Sequence, residues 1–295
     1  MAKTVISAKY PPLIDATRTP LAYGDRALRR LNRELNDETL LVRQRSVMSL
    51  CDYLHDPEHI AEALRVGIAV SLKKLLTDPD LTVRQKATEC LYVFAGALGI
   101  VQTNLVPILV QKLLSELDEI KKLILDTLHF CMRVDTEKAL KADAMTAFTE
   151  LLSHKNSGIR AKAARDIMDL SVPLDGKNKA VECGSVPPLI ELLKDPLSDV
   201  RANAAGAIMT ITITTKGKYT AIDAGAIAPL VDLVQDATSE VRLNALKALT
   251  CLSEAPEGRK VLLEHVEEVR SRMADAIPAV CKAAEIAVRV ITWKP

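Results

Sequence analysis

The chain has 295 residues, with 39 Lys and Arg against 38 Asp and Glu, for a formal charge of +1. That balance gives no electrostatic case for nucleic acid or an anionic membrane as a general partner. Apolar residues are 48% of the chain but aromatics only 3%, so Ala, Leu, Val and Ile must build the core, a composition that suits closely stacked helices.

Residues 1–24, MAKTVISAKYPPLIDATRTPLAYG, contain Pro11, Pro12 and Pro20 and fit no pattern found further along. A frayed arm is the simplest expectation for such a terminus. Yet Tyr10, Leu13, Ile14, Leu21 and Tyr23 give it more apolar surface than fraying requires. An extended N-terminal arm docking on its own first repeat or on a partner is an equal expectation, with Tyr10, Leu13, Ile14 and Tyr23 as candidate partner contacts. The segment has no apolar h-region, so no signal peptide is evident.

From residue 25 onward one block recurs. It reads LVRQRSVMSL (41–50), TVRQKATECL (82–91), EIKKLILDTL (119–128), GIRAKAARDI (158–167), DVRANAAGAI (199–208) and EVRLNALKAL (240–249), with a worn copy, AVCKAAEIAV, at 279–288. The lead residues Val42, Val83, Ile120, Ile159, Val200, Val241 and Val280 are spaced by 41, 37, 39, 41, 41 and 39. A period near forty in helix-forming residues predicts an all-α solenoid. It is expected over 25–295 as six clear units and a degenerate cap at about 256–295, where Cys281 replaces the Arg or Lys of the other blocks.

In chain order, HDPEH (55–59) first suggests a metal site, but the zincin order needs Glu directly after the first His. Pro57 and Pro256 each lie fifteen residues after a lead valine, and a proline there reads as the opening of a short first helix. Between Cys90 and Gln111 the chain carries no charge, but Gly96, Gly99, Gln102, Thr103, Asn104 and Pro107 interrupt it; a membrane span is not expected. The stretch 95–106 is too short for a normal connection plus a first helix, so one helix is expected to be lost or distorted there.

The segment 184–211, GSVPPLIELLKDPLSDVRANAAGAIMTI, displays one unit in full. Gly184 is suited to a positive φ at the end of a first helix. Pro187 and Pro188 suit the first turn of a second. Asp195-Pro196 is turn chemistry, and Ser198 or Asp199 is a candidate cap for the third helix. There Val200, Ala204, Ile208 and Ile211 fall on one apolar stripe. Seven such side chains at about 1.5–3 kcal/mol each do not match roughly 1–2 kcal/mol per residue for ordering some forty residues. A unit must therefore stack on its neighbours.

GSVPPLIELL (184–193) and GAIAPLVDLV (225–234) resemble the armadillo repeat, and the Val-Arg pair opening each third helix also resembles HEAT repeats. The resemblance implies a concave binding face built from third helices. Positions three after each lead residue, Arg45, Lys86, Leu123, Lys162, Asn203 and Asn244, are polar in five of six units. With Asp52 and Asp169, ten after their leads, they make Arg45, Asp52, Lys86, Lys162, Asp169, Asn203 and Asn244 the candidate concave-face contacts. The Trp/Asn ladder of nuclear-import receptors is missing: no Trp or Asn stands six or ten residues after a lead. A mixed-charge face of this kind favours one fixed neighbour over a class of peptides.

The six cysteines form no CxxC. Cys51, Cys90, Cys131 and Cys251 fall within the repeated block and are expected as reduced buried thiols. There is no G-x-S-x-G and no Gly-rich phosphate loop, and the residues offer His129, His154 and His265 no Ser or Cys partner. No catalytic, metal or cofactor site and no small-molecule substrate are expected.

Five segments, PPLIDATRTPLAYGDRAL (11–28), LCDYLHDPE (50–58), AAGAIMTITITTKGKYTAIDAGAI (204–227), ALTCLSEAPEGRK (248–260) and AAEIAVRVITWKP (283–295), resemble the radial spoke head protein 14 family of axonemal armadillo proteins. The resemblance implies a non-catalytic part of the ciliary or flagellar radial spoke, with other spoke proteins as partners, and cytoplasmic residence before assembly. Members of that family are longer by about one repeat, which would be missing near 95–106. A soluble cytoplasmic adaptor that binds client peptides is the alternative.

Overall fold

The computed structural model describes residues 27–96 and 104–294, and every regular element among them is helical. The all-α repeat architecture is thus as the forty-residue period predicts. Tyr10, Leu13, Ile14 and Tyr23, and most of the junction at 95–106, lie outside the described residues. The chain divides into two compact units between Thr103 and Asn104.

In the first unit, α1 (Ala27–Glu34) packs on α2 (Leu40–Tyr53), α3 (Pro57–Arg65) leads to α4 (Ile68–Leu75), and α4 packs on α5 (Leu81–Gly96). The second unit begins with α6 (Val106–Leu113) and α7 (Asp118–Met132). Three full triplets follow: α8 (Glu137–Lys141), α9 (Ala144–Leu151) and α10 (Ser157–Leu170); α11 (Leu174–Glu182), α12 (Val186–Leu192) and α13 (Ser198–Ile211); α14 (Thr215–Asp223), α15 (Ile227–Leu233) and α16 (Ser239–Leu252). It closes with α17 (Pro256–Leu262), α18 (Val266–Arg270) and α19 (Pro278–Ile291). Each second helix packs on its own third helix, and α7, α10, α13, α16 and α19 pack in succession.

The chain reverses before five of the second helices, α4, α6, α9, α12 and α15, through one left-handed residue. Gly67, Gly184 and Gly225 take φ of 81°, 70° and 78°. Asn104 and Asp143 hold the equivalent places at 51° and 58°; Asn and Asp tolerate this region better than other side chains do. Each of the five stands sixteen residues before a lead residue, so turn and stripe keep one phase although the repeat length varies.

The predicted stripe is fully buried in three units: Val83, Ala87, Leu91 and Phe94; Val200, Ala204, Ile208 and Ile211; Val241, Ala245, Leu249 and Leu252. In α2 only Ser46 and Leu50 of the equivalent four are buried, while Val42 and Tyr53 are half-exposed. Ala204 and its counterparts let third helices approach. Gly217 serves the same end elsewhere: a Cβ there would lie 2.2 Å from the Ile211 carbonyl oxygen, and Gly176 and Gly258 meet the equivalent carbonyls. The first helix of each of these triplets therefore sits directly on the end of the third helix before it.

One local expectation is corrected. Ser198 and Asp199 do not cap α13; Leu197 occupies the N-cap position and Ser198 is the first helical residue. No side chain caps α13; Asp195 Oδ1 accepts the Leu197 N–H at 3.0 Å and closes the turn ahead of the helix. Pro57 and Pro256 open α3 and α17 as predicted. Among the described residues no helix is long and apolar enough to cross a membrane.

Candidate protein-binding face

The third helices are held at a fixed spacing by one repeated device. Arg43, Arg160, Arg201 and Arg242, each next to a lead residue, turn back over the preceding loop and reach forward to an aspartate in the next. Arg201 Nη1 donates to the Asp195 and Pro196 carbonyls at 2.8 and 3.0 Å, and its Nε reaches Asp236 at 2.8 Å. Arg160 binds Asp195 at 2.6 Å, Arg242 binds Asp275 at 2.8 Å, and in the first unit Arg43 binds Asp78 at 2.7 Å. Each aspartate also accepts a backbone N–H two residues on, as Asp275 does from Ile277 at 3.0 Å. The Asp275 side chain is only 2% exposed. Its carboxyl is held below the usual carboxylate range, first by the Arg242 guanidinium and then by the Ile277 N–H. At the equivalent place in the last unit, the Cys281 thiol donates to the Asp275 carbonyl at 2.8 Å.

The residues three after each lead line the seams between third helices. Asn203 and Asn244 donate to the Ala161 and Ala202 carbonyls of the preceding third helix at 3.1 and 2.9 Å. Lys162 reaches Asp126 on α7 at 2.6 Å. In the first unit Lys86 pairs with Glu89 at 2.8 Å, while Asp52 is exposed. Arg45 is half-exposed and its buried Nε has no partner among the described residues. Four of the seven candidates thus come together on the α7–α10–α13–α16 face: Lys162, Asp169, Asn203 and Asn244. Arg45, Asp52 and Lys86 belong to the first unit.

Two surface pockets mark that face. A polar one of about 260 Å³ lies over the helix N-terminal halves, lined by Lys162, Arg165, Asp199, Asn203 and Glu240. An apolar one of about 420 Å³ lies between α13, α16 and α19, lined by Met209, Leu243, Cys251, Ala283 and Ile286 with Lys247 and Lys282 at its rim. The sequence reading weighed only polar positions here and missed these apolar ones. The available signal was Met209, apolar nine residues after its lead, as Met168 is after Ile159.

Towards the C-terminal ends of α7 and α10 the face changes character. His129 Nδ1 lies 2.5 Å from Asp169 Oδ2, an imidazole partner that the sequence reading did not place. Asp166, one turn earlier on α10, is fully buried. Arg165 Nε and Nη2 both donate to its Oδ1, at 3.0 and 2.9 Å, and Oδ2 has no partner among the described residues. Burial pushes the Asp166 carboxyl well above its usual range, although Arg165 opposes the shift. Arg165 also reaches Asp126, the acceptor of Lys162. The HDPEH segment has different work: Asp56 accepts the Glu58 N–H at 3.0 Å, and the His59 ring stacks on Tyr53 with its Nδ1 3.0 Å from the Tyr53 carbonyl.

A family model described as "Plant U-box protein ARM repeat region" matches residues 111–293, and one described as "HEAT repeat" matches residues 70–98. Among solved structures, an engineered protein is similar with a TM-score of 0.85 and 24% identity, over 91% of this chain and 69% of that one. The designed armadillo repeat protein YIII(Dq)4CqI is similar with a TM-score of 0.55 and 22% identity, over 90% of this chain and 99% of that one. A further designed armadillo repeat protein, crystallised in complex with the peptide (KR)4, has a TM-score of 0.53 and 22% identity over the same shares. At these identities the structural likeness concerns the fold alone.

Proposed function

Since the chain belongs to the armadillo-repeat family described by the plant U-box protein ARM repeat region, we propose that it is a non-catalytic protein-binding scaffold of the ciliary or flagellar axoneme, a radial spoke component held by other spoke proteins. The observation that carries the scaffold reading is the uneven face of the second unit. Polar side chains close its seams, and one apolar pocket, rimmed by Lys247 and Lys282, stays open. Such a face suits a single shaped neighbour. A basic peptide like the one bound by the designed repeat protein would meet like charge at Lys247, whereas Lys282 is already paired with Glu285 at 3.0 Å. The axonemal placement and the spoke partners rest on the resemblance of the five segments quoted above to the radial spoke head protein 14 family.

The test is localisation of a tagged chain in ciliated cells, followed by isolation of demembranated axonemes. Retention on axonemes, lost in an Ile286→Glu variant that still folds, is the expected result. A diffuse signal absent from isolated axonemes would reject the placement. Saturable binding of short isolated peptides in that case would favour a cytoplasmic adaptor instead.

A further inference from the structure

The polar cluster between α7 and α10 is unlike the repeated staples. Everywhere else on the face a buried carboxylate is answered by a guanidinium and backbone N–H groups. Here a fully buried carboxylate keeps one oxygen, Asp166 Oδ2, without any partner among the described residues. A buried acceptor left unmade costs about 1–3 kcal/mol, and such groups call for an explanation.

The surroundings supply one. One ligand atom each from His129, Asp166 and Asp169 lie within 4.8 Å of one another, and this is the only such group of metal-ligating side chains among the described residues. Asp166 and Asp169 are three apart on α10 and so share a face, while His129 comes from the neighbouring α7. Arg165 grips Asp166 Oδ1 twice and leaves Oδ2 free, the orienting role that outer-shell groups play around metal ligands. Asp169 also lines a surface pocket of about 440 Å³ with Arg133 and Val172, which gives that one ligand access to solvent.

We propose that His129, Asp166 and Asp169 bind a divalent transition-metal ion of the zinc class, tying α7 to α10. One imidazole nitrogen, a borderline donor, with two carboxylate oxygens, which are hard donors, is a set that zinc accepts, with water completing a tetrahedron. Zinc bonds of about 2.0–2.2 Å set donor atoms roughly 3.3 Å apart. The 2.5 Å contact between His129 and Asp169 must therefore open and the widest separation must close, movements within reach of side-chain torsions. Any proton held on His129 or between the carboxylates leaves as the ion enters.

The experiment is calorimetric titration of the full chain at neutral pH with zinc chloride alone, and in parallel with magnesium chloride. One zinc per chain is expected, with affinity at least about tenfold weaker in Asp169→Asn and in His129→Gln, since even outer-shell losses bring that much. Affinity should be unchanged in the double variant His55→Gln, His59→Gln, and magnesium should not bind. Circular dichroism establishes that each variant is folded. Should His129→Gln unfold, Asp169→Asn and a zinc-dependent rise in the wild-type melting temperature carry the test. Absence of saturable zinc binding, or binding indifferent to both Asp169 and His129, overturns the proposal.

Discussion

The two ends of the third helices in the second unit follow opposite rules. At their N-terminal ends one bond pattern repeats three times, Arg160 to Asp195, Arg201 to Asp236 and Arg242 to Asp275. At their C-terminal ends no two neighbours match. His129 meets Asp169 between α7 and α10, Met168 leans on Gly206 between α10 and α13, and Met209 shares an apolar pocket with Cys251 and Ile286 beyond. Stacking requires the same interaction at every step, because each repeat contacts only its neighbours. Recognition of one particular partner requires the steps to differ. The molecule keeps the two requirements at separate ends of the same helices.

The largest effect should come from striking the stack itself. Ile208 is wholly buried in the α13 stripe. Ile208→Asp places an unpaired carboxylate there, and a loss of about 4 kcal/mol or more is expected, lowering the melting temperature by roughly 10 °C. An unchanged thermal melt would contradict the packing of α13 on α10 and α16.

Breaking one staple should cost less and should show its electrostatic origin. Arg242→Met leaves the Asp275 carboxylate buried without its main partner, a change expected to cost about 3 kcal/mol at neutral pH. The folded state holds the Asp275 carboxyl below its ordinary 3.8. The stability it contributes is therefore present above that value and is lost as pH falls through the lower folded-state value. The gap between Arg242→Met and wild type in urea melts should thus narrow below about pH 4. A gap of the same size at pH 3 and pH 7 would mean that Arg242 acts through packing and not through charge.

Much of the repeated end was legible in the sequence, and much of the irregular end was not. The lead residues, the small residue four places in and Gly184 and Gly225 recur at fixed offsets, so one unit interprets the others. Asp143 hides the same left-handed turn behind an ordinary side chain. Arg201 was visible as a recurring residue, but its work lies in Asp236, thirty-five positions away, and only the stacked fold joins them. Ser198 looked like a cap because cap chemistry is local, whereas the helix starts one residue earlier than that reading assumed, behind a turn that Asp195 closes. His129 and Asp169 are forty residues apart on different helices. No periodicity predicts a pair that occurs once.

The smallest change sharpens the contrast most, because it separates two buried carboxylates that look alike. Asp275 is answered by Arg242 and by the Ile277 N–H, and it is held ionised. Asp166 is answered on one oxygen only, and burial raises its carboxyl well above the ordinary 3.8. A raised folded-state value means that the fold binds the proton more tightly than the unfolded chain does. The Asp166 contribution to stability then falls as pH climbs from 3.8 towards the folded-state value, and the whole penalty stands above it. Asp166→Asn keeps an oxygen for Arg165 and removes the charge. In chelator-treated buffer at pH 7 its stability should lie within about 1 kcal/mol of wild type, or above it, as read from urea midpoints. The wild type should close any gap as the pH is lowered. A loss as large as that of Arg242→Met would show instead that Asp166 is a working ion-pair partner of Arg165, one more staple in the row.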